Sequence, residues 1–105
     1  MQEISISEFL AKRKDAALEL LDLRTPPEYE AEHLPEARSL PLEELLDELE
    51  KLDKATHYYL ICRTGRKTRI GGELMEAQGF KVTAVAGGMY ALRDYQAAQK
   101  KDREV

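Results

Sequence analysis

Apolar and polar positions switch period repeatedly along this chain. Glu3-Ile4-Ser5-Ile6 alternates and reads as a short first strand. Ser7 is a candidate helix cap, followed by a helix from about Glu8 to Lys14 with Phe9 and Leu10 facing inward. Leu18 to Leu23 is a nearly continuous apolar run, which suits a strand buried on both faces. Pro26-Pro27 ends that strand and can open a short helix through Ala31, because proline is tolerated in a first turn. Ala37 to Leu40 is extended ahead of Pro41. Leu42, Leu45, Leu46 and Leu49 then recur at helical spacing, with acids on the opposite face. His57 to Cys62 is the next strand. Ile70, Leu74 and Ala77 mark a helix over Lys67 to Gln78, closed by Gly79. Phe80 to Ala86 is the last strand, and Gly87-Gly88 turns into a final helix from Met89 to about Gln99. The charged tail, residues 100–105, is expected to fray.

Strand and helix alternating over one short chain predict an α/β domain: a parallel sheet covered by helices on both faces. Ligands of such sheets bind beyond the carboxyl ends of the strands. Asp22, Cys62 and Gly87 each follow a strand and should share that edge.

Composition narrows the picture. The 105 residues suffice for one core, and 43% of them are hydrophobic. No apolar run is long enough to span a bilayer, and the first residues have neither the basic nor the apolar region of a secretory leader. A net charge of −4 argues against general affinity for nucleic acid or anionic membranes. The single cysteine forms no internal disulfide and fits a reducing, cytoplasmic setting. Asparagine is absent and 34% of residues are charged, a leaning seen in proteins from hot environments. The size suits a monomer.

The candidate chemistry lies in Cys62-Arg63-Thr64-Gly65-Arg66-Lys67-Thr68. A thiolate is the reactive form of cysteine, and nearby cations and a helix N-terminus both favour it. Arg63, Arg66, Lys67 and Arg69 follow Cys62 with no acid among them. Gly65 lets the chain curl. Unpaired amides of the first helical turn can point into the concavity, and Thr64 and Thr68 offer hydroxyls. Such a cradle fits a small oxyanion or the outer sulfur of a persulfide. A lone cysteine is ordinarily a small buried hydrophobe, but the strand end, the glycine turn and the cationic helix start favour the reactive reading together. His33 reads as a turn-stabilising residue and His57 as a surface residue at a strand start. Gly71-Gly72, inside a helix, reads as close packing against the sheet.

These segments resemble the rhodanese family of sulfurtransferases from Ile4 to about Leu92. Leu20-Leu21-Asp22-Leu23-Arg24-Thr25-Pro26-Pro27-Glu28-Tyr29 is similar to the family's first signature. His33-Leu34-Pro35-Glu36-Ala37 resembles its second, the segment after Cys62 its catalytic loop, and Gly79-Phe80 with Ala86-Gly87-Gly88-Met89 its closing pieces. The resemblance implies a rhodanese-like three-layer α/β/α domain over residues 1–99, with a central, mainly parallel, five-stranded sheet. It implies that Cys62 takes a sulfane sulfur from a small sulfur-containing anion such as thiosulfate. The sulfur is held as a persulfide and passed to cyanide, a thiol or a thioredoxin-like acceptor. Arg63, Thr64, Gly65, Arg66, Lys67 and Thr68 would bind substrate, with Asp22 and Arg24 as supporting charges and no metal or organic cofactor. Lys67 stands where the family often has arginine, and Glu32 and Glu36 where it often has glycine. Lysine is a point charge without the two-pronged fork of arginine, which bears on donor preference. Two other functions compete. A cysteine phosphatase or arsenate reductase needs arginine six positions after the cysteine, and that position is Thr68. A non-catalytic or oxidant-sensing module would use the same exposed thiolate.

Overall fold

The computed structural model describes residues 1–103. Five strands, β1 (Gln2–Ile4), β2 (Glu19–Asp22), β3 (Ala37–Ser39), β4 (His57–Ile61) and β5 (Lys81–Val85), form one sheet in the order β1-β5-β4-β2-β3. Every pairing is parallel, so the sheet expected to be mainly parallel is wholly so. The helices are α1 (Ile6–Asp15), α2 (Pro26–Ala31), α3 (Leu45–Glu48), α4 (Arg66–Ala77) and α5 (Gly88–Arg103).

The two-residue period of the strands divides the core into layers. On one face, Leu21, Tyr58, Leu60, Cys62 and Val82 pack with Leu45 and Leu49 around α3 and with Met75 of α4. On the other, Leu20, Tyr59, Ile61 and Val85 pack with Phe9 of α1 and with Met89 and Leu92 of α5. Cys62, one step beyond β4, therefore points to the α4 side. Successive parallel strands need a crossover, and the helices on the two faces supply it.

Several local expectations are revised. The first helix starts at Ile6 and is capped by Ser5 rather than by Ser7, the expected cap. Ser5 Oγ accepts the Glu8 amide at 3.1 Å, and Glu8 Oε1 accepts the Ser5 amide at 3.4 Å. This reciprocal box needs Glu or Gln three residues after the cap; Ser5 has Glu8 there, whereas Ser7 has Leu10. The leucine-rich segment is a short α-helix between two 3-10 turns, Leu42–Glu44 and Leu49–Lys51. Leu45 and Leu49 are buried, while Leu46 is 60% exposed.

Helix α4 also buries a different face from the one its aliphatic residues mark. Thr68, Gly71, Gly72 and Met75 are buried, and Ile70 is 45% exposed. Gly71 makes this packing possible: a Cβ there would come within 2.7 Å of Leu23 and 3.2 Å of Leu45. Helix α4 ends as expected, with Gly79 in the left-handed region (φ 90°) and Phe80 N donating to Met75 O at 3.0 Å. Helix α5 continues to Arg103, past the expected end near Gln99, so Lys100 to Arg103 are helical; Glu104 and Val105 lie outside the described residues.

The histidines take different roles. His33 Nδ1 lies 2.7 Å from Tyr29 O, and its ring stacks on Tyr29, in keeping with a turn-stabilising residue. His57 is half-buried rather than on the surface. Its Nε2 lies 2.7 Å from Thr83 Oγ1, and its ring stacks on Tyr59. Burial, helped by Lys81 and Lys12, pushes its pKa below the ordinary 6.5. The unfolded chain therefore takes up this proton first as pH falls through 6.5, and the folded state loses stability from there down to its own lower pKa. Urea unfolding at about pH 7.5 and about pH 5.5 should show a stability loss on acidification that His57→Gln reduces. An equal loss in the variant would remove His57 as its source.

Candidate active site

The segment after β4 turns sharply because Gly65 adopts φ 101°, a conformation that L side chains resist. Helix α4 starts at the next residue. The turn brings Gly65 N to 3.1 Å from Cys62 Sγ, as a donor. Thr68, fully buried, lies behind the sulfur: its Oγ1 is 3.8 Å from Sγ and donates to Gly65 O at 2.9 Å. One amide thus reaches the sulfur directly, and the Thr68 hydroxyl is committed to the turn rather than to a ligand.

Cys62 is only 1% exposed, yet it is not sealed in the core. It lines the floor of a pocket of about 430 Å³, walled by Arg63, Thr64, Arg66 and Lys67 from the loop and by Arg24 from beyond β2. Thr25, Glu28, Leu42 and Ile70 complete the wall. The expected loop residues are therefore assembled around one cavity, with Gly65 and Thr68 shaping its base.

The loop is fixed from behind by α5. Met89 N donates to Cys62 O at 2.8 Å and Tyr90 N to Arg63 O at 3.1 Å. The first amides of a helix have no partner within it, so here they satisfy the carbonyls of the cysteine loop. The approach requires Gly88: a Cβ there would fall on Cys62 O and within 2.8 Å of Arg63 O.

Asp22 and Arg24 form a buried pair beside the pocket, at 0% and 3% exposure. Arg24 Nε lies 3.0 and 3.1 Å from the two Asp22 oxygens, and Nη2 bonds Asp22 Oδ2 at 2.8 Å and Glu32 O at 2.6 Å. Asp22 Oδ1 also accepts the Arg24 amide at 3.0 Å. The Asp22 hydrogen bonds hold the Arg24 guanidinium charged, raising its pKa against the opposing effect of burial. Nη1 has no hydrogen bond among the described residues, and Arg24 presents to the pocket.

Two acids stand at the rim that were not among the expected site residues. Glu28 Oε1 accepts from Thr25 Oγ1 at 2.9 Å and Thr25 N at 3.3 Å, and Glu28 Oε2 lies 3.9 Å from Arg63. The Thr25 hydroxyl, with Arg63 and Arg24 beyond it, lowers the Glu28 pKa. Glu43 pairs with Lys67 at 3.4 Å. Both act across separate elements, which sequence alone does not bring together; the Thr-x-x-Glu spacing of Thr25 and Glu28 is a signal it carries.

The chain that places this cysteine on a glycine turn, at the carboxyl edge of a five-stranded parallel sheet, matches the model of the rhodanese-like domain family over residues 5–94. The chain belongs to the rhodanese family. Among its relatives, Bacillus subtilis YtwF, named provisionally as a sulfurtransferase, is 33% identical over 92 residues, covering 87% of this chain and 89% of YtwF. YrkF of the same organism, named provisionally as a sulfur carrier protein, is 37% identical over 89 residues. That match covers 83% of this chain but 48% of YrkF, so the chain spans about half of that relative. A rhodanese-like domain protein from Staphylococcus aureus has the same fold, with a TM-score of 0.83 at 29% identity over 87% of this chain and 90% of that one. Among the described residues of this rhodanese domain, no helix is long and apolar enough to cross a membrane.

Two substitutions test the supports. Asp22→Ala leaves a buried guanidinium unpaired and should cost about 3 kcal/mol in urea unfolding; a loss under about 1 kcal/mol would show that the pair is dispensable. Gly88→Ala should cost about 2 kcal/mol through overpacking and displace the Cys62 loop, visible as shifted Met89 and Tyr90 amide resonances. Unshifted resonances would contradict the pinning of the loop by α5.

Proposed function

We propose that this rhodanese-family protein is a sulfurtransferase in which Cys62 carries a sulfane sulfur. The observation that carries the reading is the Gly65 amide 3.1 Å from Cys62 Sγ at the floor of a cation-lined pocket. The Gly65 N–H donates to the sulfur that must attack the donor and later leave.

In the first half-reaction, the Cys62 thiolate attacks the outer sulfur of thiosulfate or a similar donor. A Cys62 S–S bond forms, the donor's S–S bond breaks, and sulfite leaves with the electron pair. Arg63, Arg66, Lys67 and Arg24 line the pocket that the anion enters, and their charges stabilise the departing sulfite. In the second half-reaction, cyanide or a thiolate attacks the outer sulfur of the persulfide, and Cys62 leaves as a thiolate. No oxidant or reductant is consumed. Arg24 also ties the pocket to β2 through Asp22, which keeps its charge in place between the two steps.

The rim acids temper the pocket's affinity for dianions. Glu28 and Glu43 engage Arg63 and Lys67, and an anionic donor must compete with them. The missing arginine at position 68 leaves no guanidinium where a cysteine phosphatase loop would need one, and Thr68 is buried against Gly65.

Thiosulfate with cyanide should yield thiocyanate, and Cys62→Ser should lower turnover by at least about 10³-fold, as expected for loss of a covalent nucleophile. Turnover retained in the serine variant would refute the role of Cys62. Robust Cys62-dependent hydrolysis of an aryl phosphate without thiocyanate formation would favour the phosphatase reading instead.

A further inference from the structure

The cavity over Cys62 is one part of a longer depression. It shares Thr64, Arg66 and Ile70 with a second hollow of about 470 Å³. It shares Arg24, Glu28 and Arg63 with a third of about 300 Å³. The two outer hollows adjoin the cavity at different stretches of its wall, so the three make one connected depression past the sulfur. Each outer arm has an exposed apolar side chain beside it: Ile70, 45% exposed, in the second hollow and Tyr90, 48% exposed, in the third.

Charge differs between the arms. In the third hollow the rim arginines are matched, Arg63 by Glu28 at 3.9 Å and Arg93 by Glu32 at 3.3 Å. In the second, Arg66 and Arg69 are exposed and, among the described residues, have no carboxylate within 4.0 Å. They stand three residues apart on α4, hence on one face with Ile70. Glu3 is the one acid lining that hollow. A chain of net charge −4 thus places two uncompensated arginines next to its cysteine.

We propose that this depression docks an extended, acidic segment of a protein that carries the acceptor cysteine, with its acidic side on Arg66 and Arg69. The inference rests on the sulfur-transfer reading above. Three features select this occupant. Cys62 is 1% exposed, so the sulfur it carries is recessed, and a thiol on a protruding strand of chain reaches it more readily than one set in a flat protein surface. A depression that continues past the sulfur from two stretches of the cavity wall favours an extended segment over a compact small molecule. Unpaired arginines with an adjoining apolar side chain attract carboxylates and raise the encounter rate with an acidic partner. In the transfer step, the segment's cysteine thiolate attacks the outer sulfur of the Cys62 persulfide. A new S–S bond forms on the segment, the Cys62–S bond breaks, and Cys62 regains its thiolate.

The test loads the full chain with thiosulfate, confirms the added sulfur by intact mass, and follows its discharge. The acceptors are cyanide, glutathione and three Cys-centred peptides flanked by glutamate, glutamine or lysine. The glutamate peptide should discharge the persulfide roughly tenfold faster than the lysine peptide at low salt, with the difference shrinking as ionic strength rises. It should also exceed glutathione, which has the charge without the length. Arg69→Gln should slow the glutamate peptide several-fold and leave cyanide discharge unchanged. Equal rates for the glutamate and lysine peptides, or glutathione as fast as the glutamate peptide, would overturn the docking inference alone. Failure to load sulfur would overturn the sulfur-transfer reading and this inference with it.

Discussion

The site depends on the loop after β4 being held at its carbonyls by the first amides of α5. Met89 and Tyr90 donate to Cys62 O and Arg63 O, so the backbone that carries the cysteine cannot swing away from the sheet edge. With those carbonyls fixed, the left-handed turn at Gly65 returns its own amide to Cys62 Sγ. The arrangement links two distant glycines. Gly65 allows the turn, and Gly88 allows α5 to come close enough to hold it. Since β4 and β5 are parallel neighbours, their carboxyl ends lie at the same edge, and the contact follows from the topology.

Electrostatics at that edge run against the character of the whole chain. Excess acid elsewhere makes the molecule negative, while the loop gathers cations within a few residues. The buried Asp22–Arg24 pair sits where desolvation is costly, and its many hydrogen bonds offset that cost. Its value lies in placement, because it anchors the Arg24 guanidinium beside the pocket that Arg24 lines. The rim pairs are weaker, being exposed, and they leave the entrance able to exchange one anionic partner for another.

Features written into contiguous sequence are legible from the residues alone. The strand–helix alternation, the Pro26-Pro27 helix start, the Gly79 stop and the whole Cys62–Thr68 loop are local, and each falls within a few residues of its expected place. Features that depend on partners far along the chain are not legible in this way. His57 has the pattern of a surface residue because Thr83, its hydrogen-bond partner, lies on another strand. The aliphatic residues of α4 point to one face, but its glycine face packs on Leu23 and leaves Ile70 in solvent. Ser7 has the chemistry of a cap, yet the Ser5–Glu8 spacing supplies the reciprocal bonds that decide the helix start. Glu43 joins the site only through tertiary folding, and nothing in its own segment marks it as a neighbour of Cys62, whereas Glu28 at least lies in the segment that resembles the family's first signature.

The Gly65 amide is hydrogen-bonded to Cys62 Sγ, so the loop must sense a second sulfur added to that atom. The most direct check follows amide resonances of the isotope-labelled protein through one cycle of thiosulfate loading and cyanide discharge. Gly65 and its loop neighbours should shift together on loading and return on discharge, while strands distant from the edge stay still. Sulfur uptake with an unmoved Gly65 resonance would contradict a working contact between the Gly65 amide and the sulfur of Cys62.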